Sequence, residues 1–207
     1  MLKWGKLEIS GGFLLAAALL LYLDDQGVFP WAILACVLHE WGHYTAVKLM
    51  GGQVTCLHLT AVGGEMVLSR RKLLSYGKEL FTVLAGPGVN IGAAVLLTTL
   101  PAREWSMLFA GLNLVIGLFN LLPVYPLDGG RALRLILTIL WSPGIADRIA
   151  WAAGLLVEGT LLWGGTAVLL RTGRNFTLLM TATWLLAGML RGNGIGRTGR
   201  KMKPRVF

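Results

Sequence analysis

The sequence predicts an all-α polytopic membrane protein of about six transmembrane helices, with one small membrane-associated β-hairpin. Three observations carry that expectation. Of the 207 residues, 55% are hydrophobic and only 14% are charged, with a mean hydropathy of +0.66, whereas a soluble domain carries about a quarter charged residues. Apolar runs of roughly twenty residues, enough to cross a hydrocarbon core of about 30 Å, recur along the chain. The basic residues gather between and after those runs. The 28 glycines are scattered, which suits close helix packing in lipid.

The first span is expected from Leu7 to Leu23, ending at Asp24-Asp25. No small-residue cleavage site precedes DDQ, so the run is expected to be a retained helix rather than a removed signal. The second runs from Val28 to Met50, and Gly51-Gly52 stop it. Gln53 to Lys78 is too polar to span. Within it, Val54 to Ala61 alternates and is rich in β-branched residues, Gly63-Gly64 offer a turn, and Glu65 to Leu68 return as a hairpin. The third span covers Glu79 to Leu100, with a break signalled by Gly86-Pro87-Gly88. Pro101 to Glu104 turn the chain into a fourth span, Trp105 to Leu122, which NLLPVYPLDGG interrupts. A short helix from Ala132 to Trp141 follows, then spans at Ile149 to Leu170 and Phe176 to Leu190. Residues 1–190 thus form one membrane domain and 191–207 a basic tail. No internal repeat is visible, and the two broken places, AGPGVN and NLLPVYPLDGG, do not resemble each other as inverted transporter repeats would.

A net charge of +9 would suit a nucleic-acid partner, but the placement of the charges argues for none. With both termini in the cytoplasm, sixteen of the 19 lysines and arginines fall inside, as the positive-inside rule requires. Arg103, Arg171 and Arg174 fall outside, and the last two are discordant for the final spans. The tail, with Arg191, Arg197, Arg200, Lys201, Lys203 and Arg205, is suited to anionic headgroups of the bilayer. Cys36 and Cys56 support no disulfide framework, and Cys36 is expected to pack within its apolar run.

The second span contains VLHEWGHYTA, residues 37–46. HEWGH fits HExxH: positions i and i+4 share a helix face, so His39 and His43 can grip one cation with Glu40 beside it. In a soluble helix the pattern often arises by chance on a solvated face. Inside an apolar span an uncompensated glutamate is expensive, and a bound metal is the compensation that fits. A polar interhelical network or proton relay is the competing reading. A catalytic zinc site usually has three protein ligands, and Asp128, in PLDGG, is either the third or the N-cap of the helix that follows. Pro123 and Pro126 break the fourth span there, and Gly129-Gly130 permit a sharp turn.

VLHEWGH, AGPGVN and NLLPVYPLDGGRAL together resemble the site-2 protease family, the intramembrane zinc metalloproteases, over roughly Val28 to Leu140. The resemblance implies a three-helix catalytic core within about residues 28–140. It implies one Zn2+ per chain held by His39, His43 and Asp128, with Glu40 as general base and Asn90 against the substrate carbonyl. For Asn90, interhelical hydrogen bonding is the alternative. It further implies a protein substrate with a membrane-associated or transmembrane segment, membrane inhibitor or regulatory partners, and a bacterial cell membrane as location. The NLLPxxPLDGG block, the GG after the second span and the six-span layout resemble the sporulation stage IV branch, which cleaves the pro-segment of a sigma factor. That branch usually carries a C-terminal regulatory domain, so the expectation is either a shorter relative or a sequence cut before that domain, and no PDZ insertion is visible.

The hairpin would offer an edge to which an unwound substrate adds as a strand; a surface hairpin lying on headgroups is the plainer reading. His58 on it is expected to be an interfacial side chain rather than a ligand. Against the protease stands a non-catalytic multi-pass protein, either a metal-bound scaffold or an ion or proton carrier.

Overall fold

A proline in the first turn, a capped start and a glycine stop make α2, Phe29–Leu49, the best-defined helix of the N-terminal half. The computed structural model describes residues 2–4, 7–60, 63–68, 75–101 and 103–197. Before α2 come β1 (Leu2–Trp4), β2 (Leu7–Ile9) and α1 (Gly11–Tyr22); after it come β3 (Val54–Thr60), β4 (Gly63–Leu68), α3 (Tyr76–Thr98), α4 (Glu104–Asn120), α5 (Asp128–Leu140), α6 (Pro143–Thr172) and α7 (Thr177–Arg197). The described residues divide into two compact units, with the boundary between Phe119 and Asn120.

In the first unit, Asp24 reaches forward to α2. Its carboxylate oxygens accept from the N–H groups of Val28 at 3.0 Å and Phe29 at 2.8 Å, satisfying donors that a helix start otherwise leaves orphaned. Gly51 ends the helix at φ +83°, a conformation costly for any residue with a Cβ. Gly52 is needed for space, since a Cβ there would lie 2.7 Å from Val47 Cγ1. One stripe of α2 is buried: Ala35, His39, Gly42, His43, Ala46 and Val47. Ile33, Leu34, Val37, Trp41 and Tyr44 are exposed on its other sides, where lipid rather than water is the compatible neighbour.

The buried stripe packs on α3, whose own inward residues are Thr82, Val83, Gly86, Pro87, Asn90 and Ala94. Contact is close because glycines line it. A Cβ on Gly42 would stand 2.7 Å from the Ala85 carbonyl oxygen, and one on Gly117 of α4 would stand 3.0 Å from Ile91 Cγ1 and 3.2 Å from Asn90 Cβ. Lipid gives helices no hydrophobic drive to associate, so close backbone approach of this kind supplies the packing. Trp31 stacks on Trp105 at 6.1 Å and lies 5.6 Å from Phe109, joining α2 to α4.

The expected hairpin forms, β3 with β4 antiparallel, but Gly63 and Gly64, expected as its turn, are strand residues paired with Thr60 and Leu59, and Val54 and Met66 are buried with Val47 of α2. It does not stand alone, however. The sheet has the order β1-β2-β3-β4, with β2 parallel to β3. Residues expected to begin the first span therefore form a strand, and α1 keeps only 12 residues, about 18 Å at 1.5 Å per residue. A parallel pair needs the chain to leave β2 and return to the same side, and α1 followed by α2 makes that round trip. Since β3 is paired on both sides, β4 is the edge strand on the hairpin side.

Two further expectations change. The helix α3 runs on through Pro87, and the missing donor costs one bond, to the Val83 carbonyl. Among the described residues, two helices, α3 and α6, are long and apolar enough by themselves to cross a membrane, with a shorter apolar stretch at Thr177–Leu190. Of the other expected spans, α1 and α4 are short at 12 and 17 residues, and α2 spends positions on His39, Glu40, His43 and Lys48. Cys36 is exposed, on an outward face and not in packing.

In the second unit, the segment before α5 folds back over that helix's first turn. The N–H of Leu127 donates to the Val124 carbonyl at 2.8 Å, and Tyr125-Pro126 is cis. A Cβ on Gly129 would coincide with the Leu121 carbonyl, and one on Gly130 would lie 2.6 Å from the Val124 carbonyl carbon. The Gly-Gly pair is thus a steric requirement. The long helix α6 starts at Ser142, whose hydroxyl caps Ile145 N–H, and stops at left-handed Gly173. Leu156 and Trp163 on it are 74% and 77% exposed, far more apolar surface than a soluble protein leaves in water. The protein is a membrane protein.

Gly42→Val is expected to force α2 off α3 and destabilise the protein by about 1–3 kcal/mol, as overpacking does. Thermal unfolding of the detergent-solubilised protein checks it, and an unchanged midpoint would refute the close-packing account.

Candidate metal centre

His39 and His43 are on the inward stripe of α2 and only 6% and 5% exposed. Each ring is held by its Nδ1. His43 Nδ1 lies 2.8 Å from the Thr82 carbonyl oxygen. A carbonyl only accepts, so Nδ1 carries a proton, and in the neutral ring Nε2 is the nitrogen left to bind a metal.

The tautomer of His39 follows from a longer chain of partners. Asn113 Nδ2 donates to the Phe109 carbonyl at 2.8 Å, which turns its Oδ1 towards Asn90. Asn90 Nδ2 donates to that Oδ1 at 2.8 Å and to the Ala35 carbonyl at 3.1 Å. The remaining Asn90 atom, Oδ1, lies 2.7 Å from His39 Nδ1. Flipping either amide would set carbonyl against carbonyl, so backbone acceptors fix the whole series and His39 is also protonated on Nδ1. Asn90 and Asn113 are both fully buried, and the bonds described account for their burial.

The two Nε2 atoms then face each other 3.1 Å apart. Two such nitrogens approach this closely when they share a positive charge, either a proton carried by one of them or a metal ion bound by both. A tetrahedral zinc ion with Zn–N of 2.0–2.1 Å spaces two imidazole nitrogens by roughly 3.3 Å. Asp128 is the first residue of α5 and buried. The N-cap position itself belongs to Leu127, one residue before it. One ligand atom from each of His39, His43 and Asp128 lies within 4.8 Å of the others. Two imidazoles and one carboxylate are the donor set of a catalytic zinc site, whose fourth position is left to water or substrate.

Glu40 is half-buried on the same helix. Gly86, the first glycine of AGPGVN, is where the His43 ring rests: a Cβ there would fall on the imidazole itself. Asn113 has no counterpart among the sequence-predicted residues. The available signal was a lone amide in the apolar run GLNLVIG.

Residues 100–157 match the family model for peptidase family M50. The chain is 32% identical over 177 residues to a zinc metalloprotease of Methanocaldococcus jannaschii, covering 77% of this chain and 50% of the relative. It is 27% identical over 136 residues to the stage IV sporulation protein FB of Bacillus subtilis, covering 63% of this chain and 47% of the relative. The chain spans about half the length of these curated relatives. In fold it is similar to a solved site-2 protease from Methanocaldococcus jannaschii, with a TM-score of 0.67 at 22% identity, over 99% of this chain and 98% of that one. The identity to the sporulation protein is lower than to the archaeal one, so the likeness extends to the wider family and is not particular to the sporulation branch.

Asn113→Leu removes the amide that orients Asn90 and is expected to weaken zinc binding about 10–100-fold, the usual cost of losing an orienting partner of a metal ligand. Competition against a chromophoric chelator measures this, with circular dichroism confirming an intact fold. Full affinity in the folded variant would rule out the relay.

Proposed function

We propose that this chain, a member of the site-2 protease group of peptidase family M50, is an intramembrane zinc metalloendopeptidase that hydrolyses a peptide bond in or near a membrane-associated segment of a protein substrate. The reading rests on one observation above all: two buried imidazole Nε2 atoms stand 3.1 Å apart on a helix of a membrane protein.

In this reading His39, His43 and Asp128 hold the zinc ion. Zinc, when bound, acidifies water and polarises a carbonyl. Glu40 takes a proton from the attacking water on its carboxylate and passes it to the leaving amine nitrogen. Asn90 has both amide hydrogens committed, to Ala35 and Asn113, so we assign it to positioning His39. A direct contact with the substrate carbonyl would require releasing one of those bonds. The edge strand β4 is suited to receive an unwound substrate by strand addition. The about six spans and three-helix core, the cytoplasmic placement of both termini and the bacterial membrane belong to the same reading. So do membrane inhibitor or regulatory partners. A sporulation sigma factor is one member of the substrate class and has no special claim on it.

Glu40→Gln is expected to keep the metal and lower cleavage of a co-expressed tagged single-span substrate about 10²–10⁴-fold, the range of general-base contributions. His39→Ala and Asp128→Ala should lose both metal and cleavage. Cleavage undiminished in Glu40→Gln would sink the assignment, and ion flux altered without proteolysis in the wild type would favour a carrier.

A further inference from the structure

The sheet brings together a second set of side chains of metal-ligating types, none of them on the HExxH helix. Glu8 on β2 and His58 on β3 are register partners in the parallel pair. Cys56 comes two residues before His58 on the same strand. Strand side chains alternate with a period of two, so Cys56 and His58 leave the same face and Glu8 stands beside His58. Glu8 Oε2 lies 3.2 Å from His58 Nδ1. One ligand atom from each of the three lies within 4.8 Å of the others, and all three residues are half-buried.

We propose that Glu8, Cys56 and His58 form a second, structural site for a zinc-class divalent cation, which clips the N-terminal strand to the hairpin. An ion pair alone would account for Glu8 and His58 and would leave the thiol out. The three donors together, one sulfur, one nitrogen and one oxygen, are the types zinc takes. A thiolate selects such a metal over magnesium or calcium. The charges also balance: a carboxylate and a thiolate neutralise a 2+ ion at a half-buried place, with the imidazole neutral. Binding displaces the Cys56 thiol proton to water. The fourth position is left to water. The pattern escapes a linear reading because Cys-x-His gives two ligands on one strand, while the third comes from about fifty residues earlier through a parallel pairing.

Sulfur makes the site separable from the first one, whose ligands carry only nitrogen and oxygen. Cys36→Ser leaves Cys56 as the sole thiol of the chain. Loaded with cobalt(II), that full-length protein is expected to bind two equivalents and to show near-ultraviolet thiolate-to-cobalt charge-transfer absorption. Adding Cys56→Ser or His58→Gln should abolish the band and leave one equivalent. Adding His39→Ala with His43→Ala should instead keep the band and one equivalent, whether or not the chain is a protease. The milder Glu8→Gln should weaken the sulfur-bound cobalt 10-fold or more. A folded Cys36→Ser protein with one equivalent and no band overturns the proposal, as does a second equivalent that survives both Cys56→Ser and His58→Gln.

Discussion

The polarity of one hydrogen-bond series governs the centre of this protein. Carbonyl oxygens of Phe109, Ala35 and Thr82 can only accept, and that fact propagates through Asn113 and Asn90 to His39, and directly to His43. Every proton is placed by the backbone. The result is two rings whose Nε2 atoms are turned towards each other 3.1 Å apart, an arrangement suited to sharing a cation. The metal reading thus rests on the orientation of the imidazoles, a stronger constraint than their presence in a motif.

The series is possible because helices α2, α3 and α4 approach closely. Gly42, Gly86 and Gly117 each stand where a Cβ would strike a carbonyl, an imidazole or a neighbouring side chain. In lipid, where apolar contact between helices offers little advantage over contact with acyl chains, small residues and satisfied amides do the joining. Partial satisfaction would be worse than none, since an unpaired buried amide costs its full desolvation. The same residues that orient the ligands therefore hold the first unit together.

Much of this was legible in the sequence. HEWGH places two rings and a carboxylate on one turn, and α2 begins and ends within a residue or two of where its punctuation says. The hairpin between Val54 and Leu68 follows from alternation, although Gly63-Gly64, read as its turn, pair as the first residues of β4. Asp128 could be suspected but not decided, because ligand and N-cap have the same local sequence; only the backbone shows Leu127 in the cap position. Pro87 misled as a helix end because one lost bond is a small part of a 23-residue helix. Asn113 was hidden because its meaning depends on Asn90, twenty-three residues away on another helix. The strand at Leu7–Ile9 was hidden for a similar reason: its partner is β3, and nothing local to it distinguishes three strand residues from the start of an apolar run.

That parallel pairing has a bearing on biogenesis. As the ribosome delivers the chain, β2 emerges first and finds no β3 until residues 10–53 have been synthesised and threaded. The N-terminal ribbon must wait, solvated or held by insertion factors, while two helices are installed. Closure of the sheet is accordingly a late event, and it reports that the segment bearing the histidines has already reached its place.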